Sequence, residues 1–333
     1  MHNTLTLHGA NPENLYRAFN LPVPDKILDF STNTNILTWP EININVQELA
    51  SRYPDPDCSK LRNIVAEHEN IPPSRILFTN GSNEAVFLLS SLFGEDTAIL
   101  EPAYSEYSRA FRNLHHIFSL EEAPDFRHVI VINPNNPTGK YTPLREIICS
   151  CPDTLFIVDE AYIDFLLKAK PEKLCGLENV ILLRSLTKIF HLSGARIGYV
   201  IAPENIIAAL KKLQPTWSVN AIAQELALHF LNDEDFPERT RAFYREQTPR
   251  FIQAVRDSGF ETVKSDVHYF LVRTDDDLKL IAHLLKAGIV VRHTRNFAGL
   301  NGQFIRIAAK LPEENTFLAE TLKLYTSSAK SSM

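Results

Sequence analysis

The chain has 333 residues, 44% of them hydrophobic, enough to bury a sizeable core and to build one large and one smaller domain. Its formal net charge of −6, with no long basic run, argues against nucleic acid as a partner, so an anionic substrate must be captured by local arginines. No apolar run approaches the ~20 residues of a membrane span, and the N-terminus lacks the charged-then-apolar layout of a signal peptide, so a cytoplasmic protein is expected.

From about residue 45 to 215, strand-like runs alternate with helical ones, which argues for a mainly parallel sheet covered on both faces. Arg75-Ile-Leu-Phe-Thr79 reads as a strand, Asn80-Gly81-Ser82-Asn83 as a turn and Glu84-Ala-Val-Phe-Leu-Leu89 as the start of a helix, whose backbone N–H groups make a ready anion site. A strand at Ala98-Ile-Leu100 follows, and His115-His116 sits before another over Ile117-Phe-Ser-Leu120. The apolar run His128 to Ile132 ends in Asn133-Pro-Asn-Asn-Pro-Thr-Gly139, a tight turn fixed by its prolines and glycine. Cys149-Ser-Cys151 is too closely spaced for the usual zinc pair and lacks a second half. With Cys58 and Cys175 these cysteines read as reduced, mostly buried thiols, and no metal site is expected.

Leu155 to Val158 reads as a buried strand delivering Asp159 at its C-terminal end, ahead of Glu-Ala-Tyr162. Val180 to Arg184 likewise leads into Ser185-Leu-Thr-Lys188, followed by Arg196 and a strand from Gly198 to Ala202. Ligands in such sheets bind at the C-terminal ends of the strands, where Asp159 and Lys188 are expected. Beyond Pro215 the pattern is helical over 217–258, with a helix start near Phe236-Pro237. Strands follow near Tyr269 to Val272, Ile289 to Arg292 and Phe304 to Ala308, with helices over Asp276 to Lys286 and from Pro312.

These residues are the parts of a pyridoxal phosphate (PLP) site. A lysine can hold PLP as a Schiff base, an aspartate can keep the pyridine nitrogen protonated so that the ring acts as an electron sink, and hydroxyls with an arginine can bind the phosphate. Taken alone, an aspartate at 159 is more often a helix cap. Ser-x-x-Lys also opens the site of serine β-lactamases and penicillin-binding proteins, but those need Ser-Asp-Asn and Lys-Thr-Gly later in the chain, and neither is present.

The order Gly81-Ser-Asn-Glu84, Pro102-Ala-Tyr-Ser-Glu-Tyr107, Asn133 to Gly139, Asp159-Glu-Ala-Tyr162, Ser185-Leu-Thr-Lys188 and Arg196-Ile-Gly-Tyr199 resembles the aspartate-aminotransferase-like enzymes of PLP fold type I, in the class I/II aminotransferase family. The match covers nearly the whole chain. It implies an α/β fold with a large PLP-binding domain (45–215) whose mainly parallel central sheet is covered by helices. It also implies a smaller α+β C-terminal domain (216–333) and an N-terminal arm (1–44) that joins the small domain. By the same resemblance Lys188 binds PLP covalently, Asp159 pairs with the pyridine nitrogen, Asn136 and Tyr162 reach ring O3′, and Tyr104 stacks on the ring. Gly81, Ser82, Ser185, Thr187 and Arg196 would hold the phosphate, with Asn83 in the same cofactor shell. Arg52-Tyr53-Pro54 resembles the segment whose tyrosine reaches the phosphate of the neighbouring subunit, which implies a homodimer with shared sites. Arg306 resembles the arginine that clamps the substrate α-carboxylate.

Two branches of the family are similar in overall pattern, histidinol-phosphate aminotransferases and L-threonine-O-3-phosphate decarboxylases of cobalamin biosynthesis. His8-Gly9-Ala10-Asn11 resembles the decarboxylase opening His-Gly-Gly-Asn, and Leu28-Asp-Phe-Ser-Thr-Asn-Thr-Asn35 resembles Leu-Asp-Phe-Ser-x-Asn-x-Asn, where the aminotransferases carry Asn-Glu-Asn-Pro. Trp217-Ser-Val-Asn220, and Val291-Arg292 through Asn296-Phe-Ala-Gly-Leu300, also follow the decarboxylase pattern. Ala10 and Ile36 depart from it, standing where glycine and proline are usual, and an alanine there can forbid a positive φ. The resemblance implies a phosphorylated amino-acid substrate gripped by His8, Gly9, Asn33, Asn136, Arg292 and Arg306, the planar fork of arginine being suited to both carboxylate and phosphate. The expected reaction is decarboxylation of O-phospho-L-threonine to (R)-1-amino-2-propanol phosphate and CO2; the alternative is a histidinol-phosphate-type aminotransferase using 2-oxoglutarate. Lys188 would reprotonate Cα in the first case and shuttle a proton in the second, so only the substrate-orienting residues discriminate.

Overall fold

The computed structural model describes residues 5 and 9–330. A short strand, β1 (Leu28–Asp29), precedes seven strands that share one sheet: β2 (Ile76–Thr79), β3 (Thr97–Leu100), β4 (Leu114–Ile117), β5 (His128–Ile132), β6 (Leu155–Asp159), β7 (Val180–Ser185) and β8 (Gly198–Ile201). Their order is β2-β8-β7-β6-β5-β3-β4. β8 runs against its neighbours β2 and β7, and the remaining pairs are parallel. The near-continuous apolar runs of these strands follow from burial on both faces. Val129, Val131, Phe156, Val158 and Leu182 enter one core cluster, while the alternating Ile130, Ile132, Ile157, Ile181 and Leu183 enter another.

β4 lies three residues earlier than the expected strand over 117–120, so His115 and His116 are inside it. The physical reason is a capping box. The Ser119 side chain accepts from the Glu121 N–H, and Glu122 Oε1 accepts from the N–H groups of Phe118 and Ser119, which turns the chain into a helical turn. His116 also meets an acid that is distant in sequence, with Nδ1 2.7 Å from Glu101 Oε1.

The C-terminal third adds β9 (Tyr269–Arg273), β10 (Ile289–Val290), β11 (Arg292–His293) and β12 (Phe304–Ala308). β11, β12 and β9 form an antiparallel three-stranded sheet, and β10 pairs in parallel with β1. The expected single strand from Ile289 to Arg292 is therefore two, its halves bonded to different partners. The N-terminal segment is tied in from both sides: the Phe30 N–H donates to the Val290 carbonyl (2.8 Å), and the Phe30 carbonyl accepts from the Ala308 N–H (3.1 Å). The helical stretch over 217–258 is broken into Ala221–Leu231 and Asp235–Asp257, where Asp233 Oδ1 caps the second helix by accepting from the Asp235 and Phe236 N–H groups. Cys58, Cys151 and Cys175 are buried free thiols and Cys149 is exposed. Among the described residues no helix is long and apolar enough to cross a membrane.

Candidate active site

A cavity of about 510 Å³ opens where β5, β6 and β7 end, lined from below by Asn136, Asp159, Tyr162 and Lys188 and from the side by Gly9, Asn33, Arg292 and Arg306. Lys188 sits in a four-residue helix, Leu186–Ile189, directly after β7. Burial, then the Arg196 and Arg306 charges, pull its ammonium down to about 8, against the opposing pull of Asp159. A lysine in this range exchanges its proton near neutral pH and presents a neutral, nucleophilic amine.

Asp159, the last residue of β6, is buried, and burial raises its carboxyl pKa. Two donors hold the ionised form: the Ala161 N–H to Oδ1 (3.0 Å) and the Tyr107 hydroxyl to Oδ2 (2.9 Å). Tyr107 belongs to a quoted motif, yet its role could not be read from sequence, because the contact spans 52 residues.

The anion corner is built at the start of the eleven-residue helix Ser82–Leu92. Gly81 has φ +75°, and a Cβ on it would stand 2.5 Å from Arg196 Nη2, so glycine lets the guanidinium pack against the helix start. A Cβ on Gly198 would stand 2.8 Å from Ser82 N, so this glycine too is required by close approach. Ser82, Thr187 and Arg196 line the cavity, Ser185 Oγ lies 2.8 Å from Thr187 Oγ1 behind them, and Asn83 Nδ2 donates to Glu106 (3.3 Å). Tyr104 lines the adjoining wall, its hydroxyl pushed up to about 12 by burial. Tyr162 offers its ring to the Lys188 ammonium, 5.8 Å from centroid to Nζ.

Arg292 and Arg306 are direct cross-strand partners on β11 and β12, both 4% exposed. Arg306 donates to Asn136 Oδ1 and to the Ser31 carbonyl (2.6 Å), and Arg292 to Asn296 Oδ1 (2.6 Å). Burial and then the Arg306 charge pull Arg292 down to about 9, and burial lowers Arg306 too. Like charges directly opposite on one sheet face destabilise it, so this wall of the cavity favours anions.

Gly9 packs against Ser31: a Cβ on it would stand 2.9 Å from Ser31 Oγ. Ala10 adopts φ 71°, the left-handed region where the decarboxylase pattern has glycine, so the turn is kept at a cost of about 1–2 kcal/mol. His8 lies outside the described residues. Tyr53 is not brought to the cavity: it is 81% exposed and packs at a tilt against Trp217, ring centroids 4.6 Å apart. The sequence reading missed Ser31, Thr32, Thr34, His191, Ser193 and Phe297, which also line the cavity. The first three stand in the quoted segment from Leu28 to Asn35, which was the available signal.

These residues fit PLP. A neutral-capable lysine, a buried carboxylate that gains from a cationic partner and an anion corner at a helix start are the three contacts that cofactor requires.

The family described as "Aminotransferase class I and II" matches residues 25–322. A threonine-phosphate decarboxylase of Salmonella typhimurium is 31% identical, covering 95% of each chain. The crystal structure of the histidinol-phosphate aminotransferase from Clostridium acetobutylicum superposes with a TM-score of 0.83 at 28% identity, covering 91% of this chain and 100% of that one. A Thermus thermophilus aspartate aminotransferase double mutant shares the fold, with a TM-score of 0.76 at 21% identity over 97% of each chain. The α/β fold is thus aspartate-aminotransferase-like.

Proposed function

We propose, from the fact that this chain belongs to the class I and II aminotransferase family, that it is a PLP-dependent decarboxylase of O-phospho-L-threonine. The products would be (R)-1-amino-2-propanol phosphate and CO2, in cobalamin biosynthesis. The family depends on PLP, which when bound supplies an electron sink for the pair left on the substrate Cα. In this reading Lys188 Nζ would hold the cofactor, Asp159 would keep a proton on its ring nitrogen, and Tyr162 with Asn136 would bond its ring oxygen. Tyr104 would stack on the ring. Gly81, Ser82, Asn83, Ser185, Thr187 and Arg196 would hold its phosphate.

The observation that carries the reading is the cross-strand pair of buried arginines in one cavity with Lys188. An ordinary amino acid needs one arginine for its carboxylate; a second, desolvated beside it, suits a substrate with another anionic group. Arg306 takes the carboxylate, and Arg292 with Asn33, Gly9 and His8 takes the phosphate. Two fixed anchors prevent rotation of the substrate, which selects the bond to Cα that breaks. Lys188, once the substrate amine has displaced it from the cofactor, would be free to return a proton from Nζ to Cα. The Salmonella relative supports the same reading.

We further propose a cytoplasmic homodimer with shared sites, in which 45–215 form the cofactor domain, 216–333 the small domain and 1–44 an arm joined to it. The test is a product assay with PLP and O-phospho-L-threonine and no keto acid. Multiple turnovers to CO2 and 1-amino-2-propanol phosphate are expected, because a transaminase stops after one half-reaction without an acceptor. Turnover of histidinol phosphate only when 2-oxoglutarate is supplied would replace this reading with the aminotransferase one.

A further inference from the structure

The helix that carries Lys188 is only four residues long, Leu186–Ile189. A single turn is not stable by itself, and its last carbonyls need partners from elsewhere. Three of them are bonded by one distant stretch of chain. Asn35 N–H donates to the Lys188 carbonyl (2.9 Å), Asn35 Nδ2 to the Ile189 carbonyl (2.9 Å), and Trp39 Nε1 to the Phe190 carbonyl (2.9 Å). Asn35 is fully buried and its amide group is saturated: Nδ2 also donates to Thr240 Oγ1 (2.8 Å), and Oδ1 accepts from the Leu37 N–H (3.0 Å). The geometry of this side chain therefore fixes both its own loop and the lysine turn.

Four residues earlier, the same stretch meets the substrate wall. The Ser31 carbonyl accepts from Arg306, and the Asn33 carbonyl lies 3.0 Å from His268 Nε2. His268 is buried and pulled down to about 3 by burial, so it is neutral and can donate from Nε2. Residues 31–35 thus run from the carboxylate-facing arginine to the backbone of the lysine.

We propose that Asn35 is a positioning residue for Lys188, setting the lysine turn from the same piece of chain that Arg306 holds. The inference rests on the reading of Lys188 as the PLP lysine and is independent of whether the reaction is decarboxylation or transamination. It places Asn35 outside the reacting atoms: it acts through the Ile189 carbonyl, not through the cofactor or the substrate.

The experiment is a pH titration of the absorbance of the PLP-loaded protein, which reads the protonation of the Lys188 linkage, together with kcat and KM. Asn35→Ala and Asn35→Asp both remove the Nδ2 donor. Each is expected to shift the titration midpoint by about half a unit or more and to lower kcat about tenfold, with KM within about twofold. Thr240→Val, which removes the other partner of Nδ2, is expected to leave midpoint and kcat unchanged. Folded, PLP-loaded Asn35 variants with the wild-type midpoint and kcat would overturn the proposal, as would a Thr240→Val effect of equal size. Should both Asn35 variants fail to fold, Trp39→Phe, which removes the donor to the adjoining Phe190 carbonyl, decides, because Trp39 is partly exposed: a midpoint shifted by about half a unit or more supports the proposal, an unchanged one overturns it. Failure of the wild-type protein to trap PLP on Lys188 with borohydride would instead sink the functional reading itself.

Discussion

Tyr107 is the one side chain bonded to Asp159 in the described structure, and it sets how readily that carboxylate stays ionised. Burial raises the Asp159 pKa, and the hydrogen bonds from Ala161 and Tyr107 oppose the rise. Tyr107→Phe removes the one of the two that a substitution can reach, since a backbone N–H cannot be mutated away. The sign follows: the pKa of Asp159 goes further up, so the ionised form, which PLP chemistry needs, appears at higher pH. The acid limb of the pH–kcat profile is expected to move to higher pH, and kcat at neutral pH to fall about tenfold, the scale of one hydrogen bond to a charged group. KM should change little, because Tyr107 is fully buried behind Asp159. An unmoved acid limb would mean that Tyr107 only fills space.

At the level of elements, β11 and β12 place Arg292 and Arg306 side by side, a pairing the register enforces and an anion relieves. Arg292→Ala is expected to raise KM for O-phospho-L-threonine at least about tenfold while PLP stays bound, since in the proposed reading Arg292 serves the substrate phosphate and not the cofactor. Inorganic phosphate, binding only the folded state, should raise the Tm of the wild-type protein and not that of the variant; equal shifts would remove Arg292 from the phosphate site. This pairing also marks where sequence reading stops. The lysine, aspartate and glycine motifs are contiguous, and each reports the turn or strand end it sits in, so Asp159, Lys188, Gly81 and Asn136 were legible. The strands around them were legible from their apolar runs. Cross-strand register, the Tyr107–Asp159 bond and the Asn35 clasp on the Lys188 turn are contacts between distant segments with no local signature. Even a local device was overlooked at Ser119–Glu122, where an apolar pattern suggested a strand and the capping box won.

For the whole molecule, the feature still without a place in one chain is Tyr53. It is 81% exposed, packed at a tilt against the half-exposed Trp217, and borders a depression that includes Leu49, Pro54, Leu61 and Leu228. Two large aromatic rings packed against each other and left open to solvent are the composition of an interface core. In the proposed homodimer with shared sites, a second copy would cover them by a two-fold contact and each Tyr53 would reach its partner's cofactor phosphate. The consequence is a complementation experiment. A Lys188→Ala subunit is expected to be inactive, and a Tyr53→Ala subunit to load PLP poorly. In a hybrid of the two, one site carries both changes and the other carries neither. Refolding an equal mixture gives half hybrids, each with one intact site of two, so about a quarter of wild-type activity at limiting PLP is expected. Neither parent reaches that level if the sites are shared. Activity no higher than the average of the two parents would place Tyr53 in its own chain's site or in none, and a monomer by sedimentation would remove the partner altogether.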